Sequence, residues 1–83
     1  MNLCFLIGKI ISEINFKFII NSKKNSIVIF ELLLSNGSII RVKGYDEIAD
    51  YSYSQLKPKD IVGIYGILNS NGEIEIEELN YFT

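Results

Sequence analysis

Apolar and polar positions alternate in short runs along most of the chain, and turn-forming residues separate the runs at intervals of about 8 to 12. With Ile, Val, Phe and Tyr dominating the runs, this spacing predicts a small β-sandwich or barrel. The first run, Leu3 to Ile20, exceeds the usual strand of about 5–6 residues and carries Ser12 to Asn15 in its middle. It reads as one long bent strand or as two strands joined at a bulge. A polar loop, Asn21 to Asn25, follows. From Ser26 to Ser35, Val28, Phe30, Leu32 and Leu34 alternate with Ile27, Ile29, Glu31 and Leu33, and the set without the glutamate is expected to face the core. Asn36-Gly37 then predicts a hairpin closed by a type I′ turn, and a third strand runs from Ser38 to about Gly44.

After Gly44 the period changes. Tyr45 to Leu56 lacks alternation, offers Asp46 as an N-cap and collects Ile48, Ala49 and Tyr53 on one side, which predicts a short helix. Pro58, within the Lys57–Asp60 turn, ends it. The fourth strand, Ile61 to Asn69, turns Val62, Ile64, Gly66 and Leu68 inward. Asn69 to Gly72 form a second hairpin, and the fifth strand, Glu73 to Phe82, turns Ile74 and Ile76 inward and leaves Glu73, Glu75 and Glu77 on a solvated face. Three strands, a helix and two strands is the order of an all-β, five-stranded OB-fold barrel with one short helix between strands 3 and 4, read here as a single domain over residues 1–83. An SH3-like barrel has a similar strand count but no helix at that point, and ranks second.

Composition narrows the function classes. At 83 residues the chain buries only about 60% of its unfolded surface, which leaves no room for a deep interdomain cleft. It holds no histidine, and no nucleophile with a base or phosphate-cradling glycine loop is found, so no catalytic residues, metal or cofactor are expected. The single cysteine, Cys4, reads as an inert thiol buried in an apolar strand and points to a reducing compartment. Lys9 breaks the N-terminal apolar run too early for a signal peptide or a membrane span. Sixteen isoleucines, eight asparagines and seven lysines fit an AT-rich genome, so bacterial cytoplasm or plastid stroma is the expected location, not secretion.

The segment Asn2–Ile10, "NLCFLIGKI", resembles the opening of the OB domain of the single-stranded DNA-binding protein (SSB) family: Asn, an apolar run, Gly, a basic residue and an apolar residue. "VIFEL" (Val28–Leu32), "EIAD" (Glu47–Asp50) and "LKPKDIVGIYGIL" (Leu56–Leu68) are similar to later pieces of the same family, in the same order. The resemblance implies an OB fold and single-stranded DNA as ligand in replication or recombination. It also implies a homo-oligomer, dimer or tetramer, associating near the first strand. The family's wrapping loops are reduced here to Ser35–Gly37 and Asn69–Gly72, tryptophan is missing, and the sequence carries no glycine-rich linker or acidic tip. Gly8 and Gly66 read as points of close backbone approach.

The net charge of −2 is unevenly spread. Up to Tyr45 there are six basic residues against two acidic; from Asp46 on there are two against eight. Single-strand binders need cations along the backbone track and aromatic faces for bases. Arg41, Lys43 and Tyr45 share one strand face, and Lys9 and Lys17 stand on the first run, so these five are the candidate nucleic-acid-binding residues. Phe16 or Phe18 beside Lys17 offers a further mixed patch, whereas Tyr51, Tyr53 and Tyr65 read as packing residues. Outward Ile27, Ile29 and Leu33 suggest a partner surface. An RNA-binding OB domain and a protein-interaction module that has lost its nucleic-acid ligand remain the alternative functions.

Overall fold

The computed structural model describes residues 3–20 and 23–83, so part of the expected Asn21–Asn25 loop lies outside the described residues. In chain order the elements are β1 (Leu3–Ile10), β2 (Asn15–Phe18), β3 (Ser26–Leu34), β4 (Ile39–Tyr45), α1 (Glu47–Gln55), β5 (Ile61–Leu68) and β6 (Ile74–Tyr81). The strands form one sheet in the order β1-β5-β6-β4-β3-β2, and an additional β1–β3 pairing closes it into a barrel. This is the expected OB fold. The long first run supplies two strands that both pair with β3, Gly8–Ile10 against Leu32–Leu34 and Asn15–Phe18 against Ser26–Ile29. A four-residue connection, rather than a bulge, joins them. It is tied down over Glu31, whose N–H donates to Ser12 Oγ at 2.8 Å and whose carbonyl accepts from Ile11 N–H at 3.0 Å.

The alternating positions pack as their polarity dictates. Val28, Phe30, Leu32, Val42, Val62, Ile64, Ile74 and Ile76 are buried, with Ile10 from β1 and Ala49 and Leu56 from the helical segment completing the core. Gly66 is required by close approach, because a Cβ there would collide with the Glu75 carbonyl and the Ile74 side chain. Next to it the β5–β6 register shifts, so that Leu79, two positions past the last regular inward residue plus one, comes opposite Ile64. Gly8 likewise leaves only 3.0 Å between an added Cβ and the Leu33 carbonyl, which lets β1 close on β3.

Three local expectations are corrected. Asn36 does not adopt a positive φ, so the hairpin is not type I′. Leu34 N–H instead donates to Ser38 O and Gly37 N–H to Leu34 O, a three-residue loop with Gly37 at φ 88°. Ser70-Asn71-Gly72 repeats that geometry between Asn69 and Glu73. Asp46 occupies the N-cap position of α1 but makes no side-chain cap; its Oδ1 accepts from Asn25 N–H at 2.7 Å and pins the start of β3. Cys4 is half-buried, not enclosed.

Candidate nucleic-acid interface

Strand register decides which side chains meet on the outer wall. Across β2, β3 and β4 the rows are Lys17–Ile27–Tyr45 and Asn15–Ile29–Lys43, and Glu31 lies opposite Arg41. In antiparallel pairing opposed residues share a face, so Lys17, Arg41, Lys43 and Tyr45 stand together on one surface. Lys9 is on the same wall but at its other end, opposite Leu33 and beyond it Ile39. The connection between β1 and β2 arches over this wall and leaves an open groove of ≈ 510 Å³, lined by Ser12, Asn15, Lys17, Ile29, Glu31 and Arg41 among others.

Two cations of this wall are paired with one carboxylate. Lys43 Nζ lies 3.0 Å from Glu73 Oε1, and Arg41 Nη1 lies 3.7 Å from Glu73 Oε2. The expectation that Glu73 is a solvated strand residue is therefore corrected. It precedes β6 in the hairpin, is nearly buried, and is held there by Asn69, whose Oδ1 accepts Glu73 N–H at 3.0 Å and whose Nδ2 donates to Glu73 Oε1 at 3.3 Å. Parallel pairing of β4 with β6, Lys43 against Glu75, brings the carboxylates alongside. The hydrogen bond from Lys43 holds the Glu73 carboxyl below the usual carboxylate range against an opposing desolvation, and the same bond raises the Lys43 ammonium above its ordinary value. Glu75 accepts from Asn69 Nδ2 at 3.2 Å, and Glu77 is exposed.

Tyr45 is half-buried, and Lys24 Nζ lies 3.7 Å from its ring centroid, a cation–π contact that no local pattern announces. Phe16 borders the groove beside Lys17, but the rings of Phe16 and Phe18 turn away from it. Alternation sends them to the opposite side of β2, where Phe16 stacks on Tyr53 of α1 at 4.7 Å and meets Phe18 edge-on at 5.3 Å. The partner-surface expectation also shifts. Ile27, Ile29 and Leu33 are partly buried among their neighbours, whereas Leu3, Phe5 and Ile7 of β1 are 49%, 53% and 49% exposed in an unbroken row, with Tyr65 of β5 and Phe82 beside them. Among the described residues no helix is long and apolar enough to cross a membrane.

No protein-family model matches the chain, and no curated protein matches it in sequence. Solved structures do match. The SSB domain of a Synechococcus sp. protein superposes with a TM-score of 0.81 at 15% identity, covering 96% of this chain and 94% of that one. The single-stranded DNA-binding protein of Thermus aquaticus gives 0.87 at 18% identity over 100% of this chain, which spans 41% of the length of that protein. The mitochondrial single-stranded DNA-binding protein of S. cerevisiae gives 0.84 at 11%, covering 99% of this chain and 94% of that one. The chain thus has the OB fold of single-stranded DNA-binding proteins, with Lys17, Arg41, Lys43 and Tyr45 gathered on the β2–β3–β4 wall.

Proposed function

We propose that this chain is a non-enzymatic, SSB-like binder of single-stranded DNA, an accessory in replication or recombination acting in bacterial cytoplasm or plastid stroma. The observation that carries the reading is the registered cluster of Lys17, Tyr45, Lys43 and Arg41 on the outer wall of an OB barrel. In this reading Arg41, Lys43 and Lys17 take phosphates, Tyr45 stacks a base, and Lys9 extends the track beyond Leu33. Ile27 and Ile29 provide apolar floor between the cations. The β1 row of Leu3, Phe5 and Ile7 is the surface for a second copy of the chain, since a contiguous apolar patch on so small a barrel favours protein contact.

The test is a fluorescence-anisotropy titration of labelled oligo-dT and oligo-U at low and moderate salt. Binding that prefers dT, weakens steeply with salt and drops on Tyr45→Ala supports the reading; preference for U moves the ligand to RNA. A second reading, a protein-interaction module, draws on the Glu73 carboxylate already seated on Lys43 and Arg41. Absence of binding even at low salt, with self-association intact, establishes that alternative instead.

A further inference from the structure

We infer that Phe18 and Tyr53 form a second base-stacking platform for the same single strand, reached round the free edge of β2; this rests on the DNA-binding reading above. Among the described residues β2 is the last strand of the sheet and pairs with β3 alone. The row Tyr45–Ile27–Lys17 crosses the binding wall and ends on this strand. The next residue, Phe18, opposite Ser26, points to the other side of the same edge. A polynucleotide leaving the wall past Lys17 therefore meets the rings within one strand's width.

The rings are arranged for such a use. Phe18 is 76% exposed and Tyr53 62% exposed, large aromatic surfaces that contribute little to the core. Phe16 orders them from beneath, stacked on Tyr53 with planes 25° apart and contacted by Phe18 at 84°. Rings fixed this way lose little side-chain freedom when a base stacks. The surrounding charge selects the occupant. Lys17 shares the edge, and Lys24, from the loop that joins β2 to β3, already lies against an aromatic face at Tyr45. The neighbouring carboxylates of Asp46 and Asp50 are engaged by Asn25 N–H and Ser26 Oγ. Exposed rings round the edge from a row that ends in Lys17 suit a polyanion with flat bases, whereas the wholly apolar β1 row suits a protein.

The experiment measures anisotropy with oligothymidines of about 5 and about 15 nucleotides, for the unmodified chain, Phe18→Ala and Phe18→Leu. The exposure of Phe18 leaves both variants folded, which circular dichroism checks. The platform predicts that both weaken the longer oligonucleotide at least about 5-fold and leave the shorter one unchanged, because Leu restores apolar area but no π face. Unchanged affinity for the longer oligonucleotide in both variants, or full recovery in Phe18→Leu, overturns the platform while the binding wall stands. Failure of the unmodified chain to bind either length overturns the wall and the platform together.

Discussion

The two outer walls of the barrel are built from the same alternation and end in opposite chemistry. On β3 the outward Ile27 and Ile29 lie between Lys17 and Tyr45 and between Asn15 and Lys43. Long charged side chains lay their methylene stems over apolar neighbours and keep their heads in water, so those isoleucines are half covered without any partner. On β1 the outward Leu3, Phe5 and Ile7 have no such cover: Phe5 faces Tyr65, Ile7 faces Gly63, and the first cation arrives only at Lys9. The identity of the cross-strand neighbour, more than that of the residue itself, separates a wet wall of cations and covered isoleucines from a dry, uncovered apolar one.

The sharpest way to break this contrast is to charge the dry wall. Phe5→Glu with Ile7→Glu should weaken self-association on the order of 100-fold or more, since an unpaired charge buried at an interface costs about 3–5 kcal/mol. Sedimentation velocity should report monomers that keep the binding wall; unchanged assembly would assign the contact to another surface. On the wet wall, Lys43→Ala combined with Tyr45→Ala should weaken oligo-dT binding by about 10-fold or more and flatten the salt slope by roughly 0.7 for the lost phosphate contact. Equal affinity at all salt concentrations would remove both residues from the interface.

A smaller effect of opposite sign is expected at Glu73. In the proposed DNA-binding role its carboxylate would compete with phosphate for Lys43 and Arg41, so Glu73→Gln should tighten binding about 2- to 5-fold and steepen the salt slope. Weaker binding in that variant would make Glu73 the group that orients the cations instead. The least effect is on stability. The Glu73 carboxyl lies below its unfolded value in the fold, so its contribution is complete above the ordinary glutamate value of about 4.3 and is lost as pH falls through the lower folded value. The urea midpoints of the parent and Glu73→Gln should therefore differ at pH 7 and converge on acidification into that range. A constant offset would show that the difference has another origin.

Local pattern carried most of the fold because most of it is local. The alternation in Val28–Leu34 and in Val62–Leu68, the change of period after Gly44 and the two Ser-Asn-Gly turns each depend on neighbours in sequence. The grouping of Arg41, Lys43 and Tyr45 was legible for the same reason. What escaped depends on long-range register. Glu73 turns onto Lys43 only because β6 runs parallel beside β4. Asp46 looks like a helix cap until β3 brings Asn25 within 2.7 Å of it. Phe16 and Lys17, adjacent in sequence, fall on opposite sides once β2 is a strand. Nor does sequence distinguish the half-covered Ile27 and Ile29 from the uncovered Phe5 and Ile7, since both rows are equally apolar.

The double pairing of β1 has a consequence in time. β1 holds seven register pairs with β5 and three with β3, and the β5 partners lie far along the chain, beyond α1. During synthesis β1 emerges early yet cannot be completed until β5 exists, so the β2–β3–β4 unit has the chance to form first while β1 waits as an open, apolar edge. Such non-local closure is slow, and an unpaired edge is a template for aggregation. Whatever shortens that wait or covers the edge meanwhile, faster synthesis of the segment up to β5 or a holdase on β1, should raise the soluble yield of this chain without changing its final stability.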